Sequence, residues 1–357
     1  MYQCEACGRE YGPREAWRCA CGHALDYAET PLPDGGPLAF SDLDERDGLW
    51  AFSEFLPMER RVSLGEGWTP LVDAPEWDAS FKLEYLFPTA SFKDRGATTT
   101  LSQAVDLGVE RVVEDSSGNA GAAIATYAAR AGLDAEIYVP ADAKPAKLRA
   151  IERAGADVVR VEGDRQAVTD ACVERVVDDE GGWYASHAWN PAFFAGTATF
   201  AYEVAAQRDW SVPDVVVTPL GHGTLFLGAY RGFAALAEAG WTDRIPRLVG
   251  VQAAGVAPLA DGTDASSGRN DAADGIQIRQ PARERQIRAA LDATGGEVLA
   301  ISRSATDRAH ARLGRGGFQV EPTSAVAVAG LRELRERGRI DQHADVVVPL
   351  TGSGMKG

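Results

Sequence analysis

The chain has 357 residues, of which 45% are apolar and 25% are charged. These proportions are typical of a soluble globular protein and exclude a disordered or fibrous one, and the length allows about two domains and a small appendage. The 52 acidic and 36 basic residues give a formal net charge of −16. Such a charge repels phosphate backbones and anionic lipid, so we expect no nucleic acid as a partner.

The composition also bears on compartment and surface. No apolar stretch reaches the ~18 residues that span a bilayer, and the first residues lack the pattern of a signal peptide, so we expect a cytoplasmic protein without a membrane partner. Only five of the 36 cations are lysine. An acidic surface that is rich in arginine and poor in lysine is typical of halophilic proteins, and we interpret the charge as a solvated face.

Four of the five cysteines form two close pairs, Cys4 with Cys7 and Cys19 with Cys21. A hairpin that brings two such pairs together supplies the four thiolates of a structural Zn²⁺ site. We therefore predict a zinc-ribbon-like segment over residues 1–27. His23 is an alternative ligand because the second pair is unusually tight, and a metal-free remnant or disulfides are alternative interpretations.

The rest of the chain divides into an arm and a regular body. Residues 28–64 are rich in Pro, Gly and acids, which predicts a linker or wrapping arm with a little helix over 49–55. From about residue 65, β-branched runs alternate with amphipathic or Ala-rich stretches. The predicted strands are 81–84, 111–114, 134–139, 157–161, 215–218, 248–251, 298–301 and 346–349. The predicted helices are 92–107, 120–130, 146–153, 165–178, 197–208, 225–239, 282–293, 305–313 and 324–337.

This alternation predicts an α/β fold with mostly parallel sheets that are covered on both faces. Cys172 falls in a helical pattern with apolar neighbours and is expected to be a small core residue. Residues 253–280 have no period, which predicts a lid, a site loop or a disordered insertion.

Three predicted strand-to-helix turns carry small hydrogen-bonding residues and glycines. They are residues 116–121 (SSGNAG), 219–224 (PLGHGT) and 350–354 (LTGSG). Glycines there let backbone N–H groups converge beside a helix N-terminus, which is an arrangement that binds anions. The turns therefore indicate a phosphate-bearing cofactor. None matches a dinucleotide or nucleoside triphosphate fingerprint.

Lys93 lies in the segment 88–96 (PTASFKDRG). Ser91 is a plausible N-cap with Asp94 as its partner, which predicts Lys93 in the first turn of a helix. Partial burial at the positive end of the helix dipole lowers a lysine pKa, as a nucleophilic amine that forms a Schiff base requires. The alternative is an exposed, structurally ordinary lysine.

Several short motifs follow one another along the chain. They comprise Lys82, Glu84, 88–96, 117–119, Asn190, Pro191, Gly196, Thr197, Glu203, 321–325, 351–352, Gly354 and Lys356. This ordered set resembles threonine synthase and its relatives, which belong to the fold type II pyridoxal-phosphate (PLP) enzymes together with serine/threonine dehydratases and cysteine synthases. The likeness runs from about Gly65 to the C-terminus, and archaeal threonine synthases carry a cysteine-rich ribbon like that at the N-terminus here.

The resemblance implies an architecture. It implies two doubly wound, mostly parallel-sheet domains, a small one over 85–190 and a large PLP-binding one made of 65–84 and 191–357. Relatives are mostly dimers, so it also implies a homodimer. The substrate is expected to be a small amino acid.

The resemblance also implies residue roles. Lys93 holds PLP and moves the Cα proton, Asn119 hydrogen-bonds the cofactor's phenolic oxygen, and Thr351 faces the pyridine nitrogen. The cofactor phosphate is cradled by Gly221, His222, Gly223 and Thr224. The substrate carboxylate is received by Ser116, Ser117 and Gly118.

Departures from the family pattern lie around the substrate. Threonine synthases commonly read N-S-x-N-P-x-R where residues 187–193 read HAWNPAF, so Phe193 replaces an arginine that binds the substrate's phosphate. His187 is a substrate-binding candidate that compensates if protonated, and Arg279 or Arg283 are others. Residues 273–276 (ADGI) resemble the dehydratases.

Three hypotheses therefore stand. The first is a threonine synthase-like elimination or replacement, in which O-phosphohomoserine and water give threonine and phosphate. The second is a serine/threonine dehydratase or related amino-acid lyase, and the third is a PLP-binding regulatory protein without turnover.

Overall fold

The computed structural model describes residues 1–143, 145–177, 182–260 and 268–356, without the side chains of residues 146 and 147. The strands are β1 Tyr2–Gln3, β2 Glu10–Tyr11, β3 Asp26–Tyr27, β4 Leu71–Ala74, β5 Ala79–Lys82, β6 Arg111–Glu114, β7 Asp134–Pro140, β8 Asp157–Val161, β9 Trp183–Tyr184, β10 Val215–Pro219, β11 Arg247–Ala253, β12 Glu297–Ile301 and β13 Val346–Pro349. The helices are α1 Lys93–Asp106, α2 Asn119–Ala131, α3 Pro145–Arg153, α4 Arg165–Val177, α5 Pro191–Ala206, α6 Thr224–Glu238, α7 Glu284–Thr294, α8 Arg303–Arg315 and α9 Pro322–Glu336.

The strands form three sheets. A six-stranded sheet has the order β12-β11-β10-β13-β5-β4, in which only the β4–β5 pair is antiparallel, and a four-stranded parallel sheet has the order β8-β7-β6-β9. A small antiparallel sheet, β2-β1-β3, holds the N-terminal segment together. The predicted α/β class with mostly parallel sheets is confirmed.

Parallel strands place their carboxyl ends at one edge of a sheet. The three glycine-containing turns follow β6, β10 and β13, so each begins at such an edge. The central strands are β-branched and fully buried, as in β10 with its run of three valines. This follows from helices that cover both faces of the sheet.

Helix α5 begins six residues earlier than the sequence pattern predicted. The side chain of Asn190 accepts a hydrogen bond from the backbone N–H of Ala192 at 3.0 Å, and Pro191 occupies the first helical position. Asn is a preferred N-cap residue and Pro is preferred at the first helical position. Both lie before the apolar repeat from which the start of the helix at residue 197 was predicted. α5 is buried along nearly its whole length and packs against α1 and α6.

Close helix contacts depend on two glycines. A Cβ atom at Gly96 would lie 2.0 Å from the Phe193 ring, and one at Gly196 would lie 2.0 Å from the Arg95 carbonyl oxygen. No Cβ tolerates such distances, so only glycine allows α1 and α5 to approach here. The N-terminus of α1 is thereby fixed against α5.

Four buried charges tie α1 to α5 and β5, and we call them the buried ion network. Arg95 contacts both oxygens of Glu84 at 2.7 Å and both oxygens of Glu203 at 2.6 and 2.8 Å. The Lys82 amine lies 2.8 Å from Glu203, and all four side chains are fully buried. Two cations and two anions balance, which is the condition for burying charge.

Several local predictions are also settled. Cys172 is buried in α4, as predicted for a core residue. The arm segment Glu45–Phe55 is a 3₁₀ helix that includes the short helix predicted at 49–55, and it is kinked at Gly48, where φ is 61°. In the predicted polar loop, residues 261–267 lie outside the described residues. None of the helices in the described ranges combines the length and apolar content that a membrane crossing needs.

Candidate active site

Lys93 is the first residue of α1, and its amine faces apolar rings. The Nζ atom lies 4.7 Å from the centre of the Phe92 ring and 5.6 Å from that of Phe193, and it has no hydrogen-bond partner in the described part of the chain. Removal of the amine from bulk water lowers the pKa of Lys93 to about 7, although Glu114 opposes this shift. A neutral, unpaired amine is the nucleophile that condenses with an aldehyde.

The predicted cap of α1 is wrong. The Ser91 hydroxyl has no hydrogen-bond partner in the described residues, and the residue before the helix is Phe92, without a side-chain cap. Asp94 instead accepts from the backbone N–H of Thr89 at 2.8 Å and from the Thr89 hydroxyl. The reason is the left-handed conformation of Ala90, φ 60°, which turns Thr89 back toward Asp94.

The turn after β6 presents free backbone donors. The N–H of Gly118 donates to the Ser116 hydroxyl at 3.3 Å, whereas the N–H groups of Ser117 and of residues 119–121 donate to no acceptor in the described chain. A Cβ atom at Gly121 would lie 1.8 Å from the Ser116 carbonyl oxygen, so the turn requires glycine there. This arrangement suits a carboxylate.

The turn after β10 forms a second and larger set of donors. Backbone N–H groups of residues 221–226 donate to no acceptor among the described residues, and α6 begins at Thr224. Gly223 has a φ of 82°, which favours glycine. Unpaired N–H groups at a helix N-terminus bind phosphate. The Thr224 hydroxyl donates to the His187 carbonyl oxygen at 3.3 Å, which joins this turn to the loop before α5.

The turn after β13 lies directly against the N-terminus of α1. The Phe92 N–H donates to the Thr351 carbonyl oxygen at 3.1 Å, and Ser91 forms an isolated bridge with Gly352. The Thr351 hydroxyl lies 3.0 Å from that of Ser324, and both residues are buried. Two coupled hydroxyls thus form a polar wall beside Lys93.

Asn119 is held by two residues whose site role was left open by the sequence. Its amide nitrogen donates to both carboxylate oxygens of Glu321 at 3.1 Å, and its oxygen accepts from the Lys356 amine at 2.9 Å. Glu321 also acts on Lys93, whose pKa it raises against the effect of burial. Asn119 and Lys93 therefore share one neighbour.

His187 forms a buried pair with Glu114. The Nδ1 atom lies 2.5 Å from a Glu114 oxygen, and the backbone N–H donates to the other oxygen at 3.1 Å. Burial lowers the pKa of His187 well below its usual value and raises that of Glu114 to about 8. The imidazole is therefore not a separate cation near pH 7, and the prediction that it compensates for the missing arginine in protonated form is wrong.

The candidate Arg283 is used elsewhere. It is fully buried, contacts both carboxylate oxygens of Asp26 at 2.9 and 3.0 Å, and donates to the carbonyl oxygens of Leu25 and Trp189 at 2.8 and 2.6 Å. It thus joins β3 of the N-terminal segment to the loop that carries His187. Arg279 is exposed and makes no polar contact in the described residues.

The four N-terminal cysteines converge. Their sulfur atoms all lie within 4.8 Å of one another, and the nearest pair, Cys19 and Cys21, is 3.2 Å apart. A tetrahedron with Zn–S bonds of about 2.3 Å has S···S edges of about 3.8 Å. The geometry therefore fits a four-thiolate metal site. The His23 Nδ1 lies 3.4 Å from the Cys21 sulfur, at the edge of the cluster.

The residues around Lys93 fit PLP. An amine without a partner supplies the point of attachment, and the free N–H groups of residues 221–226 supply a phosphate site at a helix N-terminus.

Comparison with known proteins agrees with this fit. The profile of the family described as pyridoxal-phosphate dependent enzyme matches residues 62–352. Threonine synthase from Methanocaldococcus jannaschii is 32% identical over 380 residues, with 100% of this chain and 93% of that protein covered. Threonine synthase from Synechocystis is 33% identical over 344 residues, with 92% and 88% covered.

The chain belongs to the threonine synthase family of PLP-dependent enzymes. It is therefore a PLP-dependent lyase. Among solved structures, maize serine racemase superposes with a TM-score of 0.70 at 20% identity, with 89% of this chain and 94% of that one covered. The processed form of threonine deaminase isoform 2 from Solanum lycopersicum gives a TM-score of 0.66 at 22% identity, with 80% and 79% covered. These neighbours establish the fold type II architecture.

Proposed function

We propose that this enzyme converts O-phosphohomoserine and water to threonine and inorganic phosphate. The observation that carries the proposal is the unpaired Lys93 amine at a point where turns from both large sheets meet. The full-length similarity to threonine synthases supports the substrate. In the balanced reaction the Cγ–O bond breaks and phosphate leaves, Cβ loses one proton and gains the hydroxyl of water, Cγ gains one proton, and the remaining proton of water goes to the phosphate.

The proposed roles follow from the contacts of each residue. PLP, once bound to the Lys93 amine, supplies an electron sink that lets the substrate lose its Cα proton. Lys93, with a pKa of about 7, is suited to accept and return that proton at Nζ. Residues 116–118 are proposed to bind the substrate carboxylate and residues 221–224 the cofactor phosphate, because their turns present unpaired N–H donors.

The polar wall of Thr351 and Ser324 is proposed to contact the pyridine ring of the cofactor. We propose that Thr351 faces the pyridine nitrogen, since its hydroxyl is buried and coupled to Ser324 beside Lys93. A hydroxyl leaves that nitrogen unprotonated more readily than a carboxylate would, which favours elimination or replacement over transamination. Asn119 is proposed to hydrogen-bond the phenolic oxygen when it exchanges its Glu321 contact.

A serine/threonine dehydratase is the second candidate, and Phe193 favours it. The buried ring occupies the position facing Lys93 and presents no donor to a phosphate. Such an enzyme would eliminate water from a hydroxyamino acid, and hydrolysis of the resulting imine, which consumes one water, would leave a 2-oxo acid and ammonia. A PLP-binding regulatory protein without turnover is the third, and an unresponsive cofactor spectrum would favour it.

One assay separates these functions. Purified holoenzyme is supplied separately with O-phosphohomoserine, serine and threonine, and phosphate, threonine and 2-oxo acid are measured. We expect equal amounts of phosphate and threonine from O-phosphohomoserine. Formation of 2-oxo acid from serine without phosphate release would instead establish the dehydratase.

The domain organisation is proposed on the same basis. We propose a small domain over 85–190 and a large one from 65–84 with 191–357, because each contains one of the two large sheets. The segment 1–27 is proposed to be a zinc ribbon, followed by an arm over 28–64. A cytoplasmic homodimer is proposed from the family resemblance, and light scattering in solution tests the dimer.

A further inference from the structure

Arg165 joins a helix that follows the four-stranded sheet to a turn of the six-stranded sheet. It is the first residue of α4, which follows β8, whereas His222 lies in the turn after β10 of the other large sheet. The guanidinium nitrogen of Arg165 lies 3.5 Å from Nε2 of His222. The two residues therefore connect elements that follow the two large sheets.

Two further side chains continue this contact toward the interior. The His222 ring meets the His187 ring edge-to-face with centroids 5.4 Å apart, and His187 lies 2.5 Å from Glu114. We call these four residues, Arg165, His222, His187 and Glu114, the polar row. Phe193 borders the row, since its ring lies 6.2 Å from that of His187 and 5.6 Å from the Lys93 amine.

The charge of the polar row resides on Arg165. Burial lowers the pKa of both imidazoles well below the ordinary histidine value, and it raises that of Glu114 to about 8. The guanidinium remains a permanent cation. Its positive charge also contributes to the lowered pKa of Lys93, after burial of that amine.

Most N–H donors of the Arg165 guanidinium have no acceptor among the described residues. A guanidinium carries five N–H donors, and among the described residues the side chain of Arg165 hydrogen-bonds only to His222 and pairs with no carboxylate. An exposed guanidinium without a counter-ion can bind an anion, and arginine binds phosphate through paired hydrogen bonds.

We propose that Arg165, assisted by His222, binds the anionic leaving group on the substrate side chain and so makes this enzyme selective for an amino acid that carries a phosphate ester. The inference deepens the proposed function and rests on it. The cofactor phosphate is a second possible source of the same chemistry. The six unpaired N–H groups of residues 221–226 already provide for that phosphate.

The test compares two ligands on the holoenzyme of Arg165→Gln and Arg165→Lys. Binding is followed by the change in cofactor absorbance on titration with O-phosphohomoserine and, separately, with L-homoserine. We expect Arg165→Gln to weaken O-phosphohomoserine binding about tenfold or more, with Arg165→Lys intermediate and homoserine binding unchanged. Arg149→Gln, at an exposed position of α3, is the matched control and should match the parent enzyme.

Each other outcome overturns the inference. Equal weakening of both ligands would assign Arg165 a structural role, and weaker PLP binding would assign it to the cofactor phosphate. Unchanged binding of O-phosphohomoserine in Arg165→Gln, or no response of the parent enzyme to that ligand, would remove the site. Failure of the proposed function gives a different result from failure of this inference. In that case the parent enzyme binds O-phosphohomoserine, the binding depends on Arg165, and no phosphate is released.

Discussion

The amine of Lys93 lies 5.6 Å from the centre of the Phe193 ring, and the ring offers it no hydrogen-bond acceptor. An amine in such surroundings is poorly solvated as a cation and remains free to react. Phe193 therefore contributes to the chemistry because it provides no hydrogen-bond acceptor that would stabilise the protonated lysine.

Replacing Lys93 tests the cofactor assignment directly. We expect Lys93→Ala to lose the visible absorbance of lysine-bound PLP while far-ultraviolet circular dichroism stays unchanged, since the side chain makes no hydrogen bond in the described structure. Borohydride reduction followed by peptide mapping should label Lys93 in the parent enzyme. Lys356→Ala is the control and should retain the label, and a label at any other lysine would contradict the assignment.

The lowered pKa predicts when the lysine reacts. A neutral amine is required, so the rate of PLP incorporation into the apoenzyme should rise as the pH rises through about 7 and level off above it. An ordinary lysine would titrate near 10.5, and its rate would still be rising at about pH 9.

A carboxylate variant checks the sign of this dependence. Glu321 raises the pKa of Lys93, so Glu321→Gln should move the midpoint of the incorporation rate to lower pH. A shift to higher pH would show that the carboxylate does not act on the amine as inferred.

The buried ion network predicts a large loss of stability. Arg95→Ala would leave the carboxylates of Glu84 and Glu203 buried without their shared cation, which should lower the free energy of unfolding by about 3–5 kcal/mol. Denaturant unfolding measures this. Arg332→Ala removes the exposed pair with Glu336 and should leave the unfolding midpoint nearly unchanged.

Alanine substitutions at Gly121 and Gly314 compare a crowded glycine with an uncrowded one. Gly121→Ala places a methyl group 1.8 Å from the Ser116 carbonyl oxygen, so we expect a loss of about 1–3 kcal/mol and weaker binding of the substrate carboxylate. Gly314→Ala lies in α8 with nothing within 4 Å and should instead gain about 0.4–1 kcal/mol. Equal effects in the two variants would contradict the steric argument.

Metal analysis tests the zinc ribbon. The parent protein should contain about one zinc ion per chain, and Cys19→Ser should bind it less tightly because one of four thiolates is lost. His23→Ala should keep the metal if the four sulfurs form the site. We expect chelation to leave the PLP absorbance in place, because Lys93 belongs to a different part of the chain, and a protein purified without metal would refute the ribbon as a zinc site.

Much of the fold was predictable because local patterns decide it. The observed bounds of β6, β8 and β13 equal the predicted ones, and the predicted helices differ from the observed ones mainly at their ends. β9 has two residues and β4 is an antiparallel edge strand, so neither carries the buried apolar run that identifies a central strand. Their pairing depends on neighbours far away in the sequence.

The residues of the candidate site also differ in how far the sequence predicts them. Lys93 and the glycine turns carry their signal in adjacent residues, and parallel strands explain why turns from separate parts of the chain meet. The Glu114–His187 pair joins residues 73 positions apart, and Arg165 meets a residue 57 positions away. No local pattern encodes those distances. The Ser91 cap failed for the related reason that Ala90 reverses the chain direction just before it.

The burial of the ion network determines how the enzyme responds to salt. In about 1 M salt the Debye length falls to about 3 Å, and attraction between exposed charges is largely screened. Arg95 and its partners have no exposed surface, so dissolved ions cannot enter between them. Lys93 precedes Arg95 by two residues, and its placement should therefore be the same in dilute buffer and in concentrated brine.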